Sequence, residues 1–326
     1  MLTLDVSHLQ QKKNLLAFSS GVDSSALFFL LLENNIPFDI AIVNYGTRDA
    51  SDKEEAHAKA LAKQYHLTCY SIKAPTFNSH FEKQARDFRY DFFTSLIEKE
   101  HYDNLLTAHQ LNDQLEWLLI RLTKGAGISE LLGLQVVTKR ESYTLVRPLL
   151  EYSKEELLTY LEQHAHPYFV DESNNDEKYE RNLFRKQFAD PLIATYKEGI
   201  QRSFSYLRKD KAILEKDFET IYAQKDLRVI KLHRPSAKVK AADLTLKSLG
   251  YVLSAAQRQE LDKKESIVIG GAWAVERQND RLYISPYFTT DMPKKVKETF
   301  RIHKIPVKVR AYCFTQTIDI EALRFV

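Results

Sequence analysis

Sulfur is scarce in this chain of 326 residues, which holds two cysteines and two methionines. Cys69 and Cys313 make neither a CxxC pair nor a cluster with metal-ligand spacing, so disulfides and structural zinc are not expected. Long apolar runs are missing as well. The longest, 26–32, is far shorter than the roughly 20 residues needed to span a bilayer. Residues 1–13 lack the basic-then-apolar layout of a signal peptide. Together these absences predict a cytoplasmic protein with no membrane partner. Neither GxxxxGK followed by a hydroxyl residue nor GxGxxG occurs, which disfavours a P-loop NTPase and a dinucleotide-binding Rossmann enzyme. Internal repeats and low-complexity tracts are lacking too.

What is present is ordinary for a globular protein: 44% hydrophobic and 28% charged residues, on a length that suggests about two domains. The net charge of +3 hides an asymmetry. Residues 191–326 hold 26 Lys and Arg against 16 Asp and Glu, whereas residues 1–190 hold 21 against 28. A basic C-terminal half suits a polyanion, nucleic acid first, although a plain solvated basic surface reads the same way on charge alone.

Through the first half, short apolar runs alternate with amphipathic stretches, the pattern of a parallel sheet wrapped by helices. Strands are expected at 15–18, 38–43, 68–72, 104–108 and 143–146, and helices at 24–33, 51–65, 79–100 and 112–122. After Pro191 the pattern turns helical, at 192–222 and 241–264. It then gives three short strands, 267–269, 273–275 and 282–284, joined by Gly270-Gly271 and Asn279-Asp280 turns. The expected class is α/β: an N-terminal doubly wound parallel sheet over residues 1–195, then a smaller basic region, 196–326, of helices with a C-terminal β-hairpin element.

Between the first strand and its helix lies Ser19-Ser20-Gly21-Val22-Asp23-Ser24. Backbone N–H groups and a helix N-terminus there could hold an anion such as phosphate, while the plainer reading is a serine-rich helix cap. After the fourth strand, where α/β folds place ligands, Thr107-Ala108-His109-Gln110-Leu111-Asn112-Asp113-Gln114-Leu115-Glu116 gathers imidazole, amide and carboxylate groups. A third segment runs Asp171-Glu172-Ser173-Asn174-Asn175-Asp176, then Tyr179, Arg181-Asn182 and Arg185. On a helix Arg181 and Arg185 lie at i and i+4 and project two guanidiniums from one face.

The first hexapeptide resembles SGGxDS of the PP-loop ATP pyrophosphatases, which cleave ATP between the α and β phosphates; Ser20 stands where that pattern has glycine. The second and third segments are similar to AHHxDDQxET and DxSNxDxxYxRNxxR of the tRNA(Ile)-lysidine synthetases, with Gln110 for a histidine and Asn112 for an aspartate. Lesser matches join them in order. Val43-Asn44-Tyr45-Gly46-Thr47-Arg48 resembles VNHGLR, residues 86–93 resemble ARxxRYxFF, and Arg147-Pro148-Leu149-Leu150 resembles RPLL.

The resemblance implies a PP-loop fold and ATP-dependent attachment of L-lysine to C2 of the wobble cytidine of an isoleucine tRNA with a CAU anticodon, through an adenylated intermediate. It implies that Ser19, Ser20, Gly21, Val22, Asp23 and Ser24, with Asn44, Arg48 and His109, bind ATP. Mg²⁺ is implied at Asp23 and Asp113, and more weakly at Asn112, whose neutral amide oxygen is a poorer ligand. Catalytic roles fall to Asp23, Asp113, Arg181 and Arg185, and substrate contacts to Arg86, Arg147, Asp171, Ser173, Asn174, Asp176 and Asn182. Two rival readings are a sulfur-inserting PP-loop tRNA modifier, which would commonly need cysteines that this chain does not group, and a non-catalytic, nucleotide-responsive RNA-binding protein. Oligomeric state is open, a homodimer included.

Overall fold

Leu15 and Leu16 are neighbours in the first strand, β1 (Asn14–Ala17), and strand alternation sends them to opposite faces, both of which are covered. The computed structural model describes residues 2–46, 49–77, 81–170 and 180–324. Packing divides the chain into two compact units, Met1–Arg208 and Lys209–Val326.

In the first unit β1 is followed by α1 (Val22–Glu33), β2 (Phe38–Asn44), α2 (Asp49–Gln64), β3 (Cys69–Lys73), α3 (Phe81–Glu100), β4 (Asn104–Leu106), α4 (Leu111–Thr123) and a short α5 (Ile128–Leu131). Then come β5 (Val137–Lys139), β6 (Thr144–Val146), α6 (Lys154–Gln163), α7 (Glu180–Phe184), a π-helical turn over Arg185–Ala189, and α8 (Asp190–Leu214), which is kinked at Tyr196 and runs six residues past the end of the first unit. The strands lie in the order β3-β2-β1-β4-β6-β5, parallel except for the antiparallel edge strand β5. Leu16 faces α1, α2 and α6 through Phe28, Leu61 and Leu157. Every residue of α1 from 24 to 31 is buried, as expected of a helix that is apolar all round. Leu15 faces α3 through Phe93, Leu96 and Ile97. A smaller cluster, Leu111, Leu115, Ala189, Ile193 and Phe204, joins α4 to α8.

The second unit holds β7 (Phe218–Gln224), β8 (Leu227–Leu232), α9 (Lys238–Ser248), α10 (Ala255–Lys263), β9 (Ser266–Ile269), β10 (Trp273–Gln278), β11 (Arg281–Pro286), α11 (Lys294–Ile302), α12 (Arg310–Thr315) and α13 (Ile320–Arg324). Its five strands form an antiparallel sheet in the order β7-β8-β11-β10-β9. One face packs on α9 and α10 through Ile230, Val275 and Ile284; the other packs on Phe300, Val309 and Tyr312. Gly270, Gly271 and Asn279 all take positive φ at the two turns between β9, β10 and β11.

Several elements differ from the pattern read along the chain: the helical region expected at 241–264 is two helices, α9 and α10, β7 and β8 extend the three expected strands to a five-stranded sheet, and the tail holds α11, α12 and α13. Residues 218–222, which continue the polar and apolar spacing of α8, form β7, because Phe218, Thr220 and Tyr222 find β8 as a partner. A register shift between Thr220 and Tyr222 breaks the two-residue alternation that would have marked a strand. The parallel sheet also gains β5, three residues with an exposed edge valine, Val137. Among the described residues no helix is long and apolar enough to cross a membrane.

Candidate active site

Strand order reverses at β1 and β4: the chain moves from β1 out to β2 and β3, then returns to lay β4 on the other edge of β1. Such a reversal leaves a crevice at the carboxyl ends of the two strands, the usual ligand position in sheets of this kind. The loop 19–24 enters it from β1 and residues 107–109 from β4.

The loop is held by its own hydroxyls and by its neighbours. Ser19 Oγ lies 3.1 Å from Ser24 Oγ, which also donates to the Gly21 carbonyl at 3.1 Å. Gly21 is the N-cap of α1, so the unpaired N–H groups of the first helical turn begin there. Ser20 takes φ 60°, the left-handed conformation that glycine adopts with less strain. Its hydroxyl turns away from the crevice and donates to the Glu54 carbonyl in α2 at 2.9 Å, fully buried. The Ser20 carbonyl accepts from Phe169 N–H at 2.8 Å, tying the segment that follows α6 to the loop. A cavity of about 370 Å³ lies between Ser19, Asp23 and Ser24 on one side and His109, Asp113 and Arg185 on the other. Another of about 600 Å³ borders the loop with Asn44, Lys154 and Phe169 and shares Asp23 and Arg185 with the first.

Facing the loop is a network of acids and arginines. Gln110 is the N-cap of α4: its side chain accepts from Asn112 N–H while its own N–H donates to Asp113 Oδ2 at 3.1 Å. Asp113 Oδ1 then receives Arg185 Nη2 in a short ion pair and Arg181 Nη2 at 3.4 Å. Glu116, one helical turn on, is buried and takes Arg185 Nε at 2.9 Å and a short contact from Arg181 Nε. Two arginines on α7 and the π-helical turn thus clamp two buried carboxylates of α4.

Burial would raise the Asp113 carboxyl, but Arg185, His109 and Arg181 outweigh it and hold Asp113 below the ordinary range. Glu116 is pushed up, chiefly by burial, despite both arginines. Asp23 is pushed up to about 7, first by burial and then by the charge of Asp113. Its Oδ1 is buried with no hydrogen-bond partner among the described residues. His109 is driven down to about 4, again by burial first, with Arg147, Arg181 and Arg89 adding to it, so its imidazole is neutral at pH 7. The ring nitrogen Nδ1 sits 3.0 Å from Thr107 Oγ1.

Other residues singled out from the sequence have varied surroundings. Asn44 Nδ2 donates to Asp52 and Glu55, both at 2.8 Å, and its oxygen accepts from Gly46 N–H, so it fastens the end of β2 to α2. Asn112 turns from the cavity: Nδ2 donates to Asp190 Oδ1 at 2.7 Å and Oδ1 accepts from Lys154 N–H at 3.2 Å. Arg147 is buried and donates to the Gln135 carbonyl at 2.8 Å and to Thr138 Oγ1 at 3.2 Å, bracing β5. Asn182 lines the 370 Å³ cavity, and Arg86 lies on α3 at the wall of a third hollow. Arg48, Asp171, Ser173, Asn174 and Asp176 lie outside the described residues. The site also contains Glu116, Arg89, Lys154 and Asp190, which the sequence reading gave no role. Glu116 follows Asp113 by one helical turn and Arg89 follows Arg86 likewise, a spacing that could have flagged both. Nothing local marks Lys154 or Asp190.

Among the described residues no three His, Cys, Asp or Glu converge as a metal cage. A magnesium ion that shares substrate phosphates needs only one or two carboxylates, and the unpartnered Asp23 oxygen beside Asp113 fits that requirement.

A family model described as PP-loop domain matches residues 2–192. The tRNA(Ile)-lysidine synthase of Campylobacter jejuni strain RM1221 is 46% identical to this chain, with 97% of each covered. That of Wolinella succinogenes is 46% identical over 95% of each, and that of Helicobacter pylori 40% identical over 94% of this chain and 91% of the relative. Among solved structures, the U34-tRNA thiolase NcsA from Methanococcus maripaludis with its 4Fe-4S cluster is similar at a TM-score of 0.51. The match covers 61% of this chain and 72% of that one at 18% identity, a likeness of fold alone.

Proposed function

This chain belongs to the tRNA(Ile)-lysidine synthase family of PP-loop proteins, and from that premise we propose that its crevice adenylates the wobble cytidine of a CAU-anticodon isoleucine tRNA and then joins free L-lysine to C2. The observation that carries the reading is the placement of a hydroxyl-rich loop at the start of α1 opposite the Asp113–Glu116–Arg181–Arg185 clamp, across the strand-order reversal. As an enzyme acting on tRNA, it works in the cytoplasm.

Two displacements are required. The cytosine O2 attacks the α-phosphorus of ATP, forming an O–P bond while the bond to pyrophosphate breaks. The lysine amine then donates its lone pair to C2, the C2–O bond breaks with AMP leaving, and the amine loses a proton. Loop N–H groups and the start of α1 hold the phosphates. Arg185 reaches both carboxylates of α4 and lines both loop cavities, which lets it offset charge on the transferred phosphoryl group without moving far. A neutral His109 adds no positive charge beside Arg181 and leaves a hydrogen-bonding edge for the nucleotide. Asp23, whose Oδ1 has no partner among the described residues, with Asp113 beside it, would hold Mg²⁺, which would supply positive charge to the polyphosphate. A sulfur-transfer reading finds no support: burial pushes the Cys69 thiol up to about 11 and the Cys313 thiol up to about 12, so neither is a thiolate at neutral pH.

The test is incubation with ATP, labelled lysine and unmodified tRNA. Label should enter the CAU-anticodon isoleucine tRNA with release of pyrophosphate and AMP, and Asp23→Ala should lower the rate by on the order of 10²–10³, the loss typical of removing one charge-organising group. Full turnover by Asp23→Ala would refute its role, and absence of label with wild-type protein would refute the activity.

A further inference from the structure

Helices α3 and α4 enclose a hollow of about 700 Å³ that shares Tyr45, Arg89, His109, Asp113 and Arg181 with the 370 Å³ cavity. Its outer wall carries Arg86 and Phe81 from α3 and Trp117 and Arg121 from α4.

Two features make that wall more than a solvated helix pair. Arg86 and Arg121 have no carboxylate partner among the described residues; each guanidinium rests over a ring, Arg86 at 5.5 Å from the Tyr90 centroid and Arg121 at 4.3 Å from that of Trp117. The acids nearby are already paired, Glu180 with Lys124 at 2.6 Å and Glu116 with Arg181 and Arg185, while Glu82 lies at the edge shared with the smaller cavity. Trp117 is also fixed in place. Its Nε1 donates to the Glu130 carbonyl at 2.7 Å, and Gly133 approaches so closely that a Cβ there would lie 2.5 Å from Nε1. The Trp117–Arg121 stack is therefore preset rather than assembled on binding.

We propose that this hollow seats the nucleotides flanking the target cytidine, with Arg86 and Arg121 meeting phosphodiesters from two walls and the Trp117–Arg121 stack and Phe81 receiving an unstacked neighbouring base. The inference rests on the lysidine-synthase reading. A base must leave its loop to reach the phosphate crevice, and the nucleotides bonded to it must then lie beside it. Single-stranded RNA is held by aromatic faces and arginine planes together with backbone cations, the chemistry of this wall. Free lysine is the rival occupant, since its carboxylate could take one guanidinium; it has no use for a ring platform.

Full-length Arg86→Ala, Arg121→Ala and Arg121→Lys would be compared with wild type on a CAU anticodon stem-loop by fluorescence anisotropy across a salt series, and in lysine incorporation with whole tRNA. Unchanged melting curves and unchanged ATP binding establish that the variants fold. Each alanine variant should raise the KM for tRNA roughly tenfold and reduce the slope of log K against log salt by about 0.7, the value for one single-strand phosphate contact. Arg121→Lys should regain the slope but not the KM, because it keeps the charge and loses the stacking plane. An unchanged slope and tRNA KM, or a rise in the lysine KM instead, would overturn the seat. Wild-type incorporation separates the two claims: lysidine formed equally by the variants sinks only the seat, whereas arginine-dependent loop binding without lysidine sinks only the reaction.

Discussion

Asn112 is an amide where the lysidine-synthetase pattern has a carboxylate, and its neighbour supplies a physical reason. Asp190 Oδ1 accepts from Asn112 Nδ2 at 2.7 Å, so an aspartate at 112 would press two carboxylates together in a buried corner. Asn112→Asp should therefore lose stability and lysidine formation, while Asn112→Asp with Asp190→Asn should recover most of both, giving a coupling of about 2 kcal/mol in a double-mutant cycle of melting free energies. Additive effects would show that the pair does not act as a unit. Asp23 makes a second prediction at this scale. With a folded pKa raised to about 7 from 3.8, it favours the folded state only while protonated. Below pH 4 it has no adverse effect; between about 4 and 7 the unfolded chain ionises first and stability falls. Above 7 the loss is complete. Ligand-free Asp23→Asn should accordingly melt higher than wild type at pH 8, with the difference shrinking toward pH 5. An equal difference at both pH values would show that Asp23 is not held in this state.

Element by element, legibility tracked how local the cause was. The helix α1 announces itself because it is apolar all round, and the two turns of the second unit because Gly270-Gly271 and Asn279 suit positive φ. By contrast β7 carries a register shift and β5 is three residues long, so neither gives a clean two-residue alternation. At the site, the i, i+4 spacing of Arg181 and Arg185 foretells two guanidiniums on one side, and both do reach Glu116. What it cannot foretell is the π-helical turn that begins at Arg185, since wider hydrogen-bonded turns have no residue signature, and that turn leads directly into Asp190. Residue type also misleads where tertiary packing claims the side chain. The resemblance implies a substrate contact at Arg147, whose guanidinium in the structure donates to Gln135 and Thr138. Ser20 reads as a hydroxyl facing phosphate, yet it is bonded to Glu54 behind the loop.

Taken whole, the molecule separates its chemistry from its charge. Residues 209–326 hold 23 Lys and Arg against 15 Asp and Glu, while residues 1–208 hold 24 against 29. A net-negative catalytic unit must nevertheless accept a polyanion, which it can do only through local cations such as Arg86, Arg121 and Arg185, or with help from the basic unit. Each unit has hydrophobic clusters drawn from its own residues alone, the first around Leu15, Leu16 and Phe28 and the second around Ile230, Val229 and Phe300. A fragment of residues 1–214, which keeps α8 intact, is therefore expected to unfold cooperatively and to bind ATP like the whole chain. Its affinity for whole tRNA should fall by roughly tenfold or more, with a shallower salt dependence, the result expected of a basic unit that contacts phosphates. Its affinity for the isolated anticodon stem-loop should change much less, since the cations around the crevice remain. Titrating both RNAs against the fragment and the full chain at several salt concentrations decides the matter: equal tRNA slopes would mean that the basic unit carries its charge for some purpose other than holding RNA.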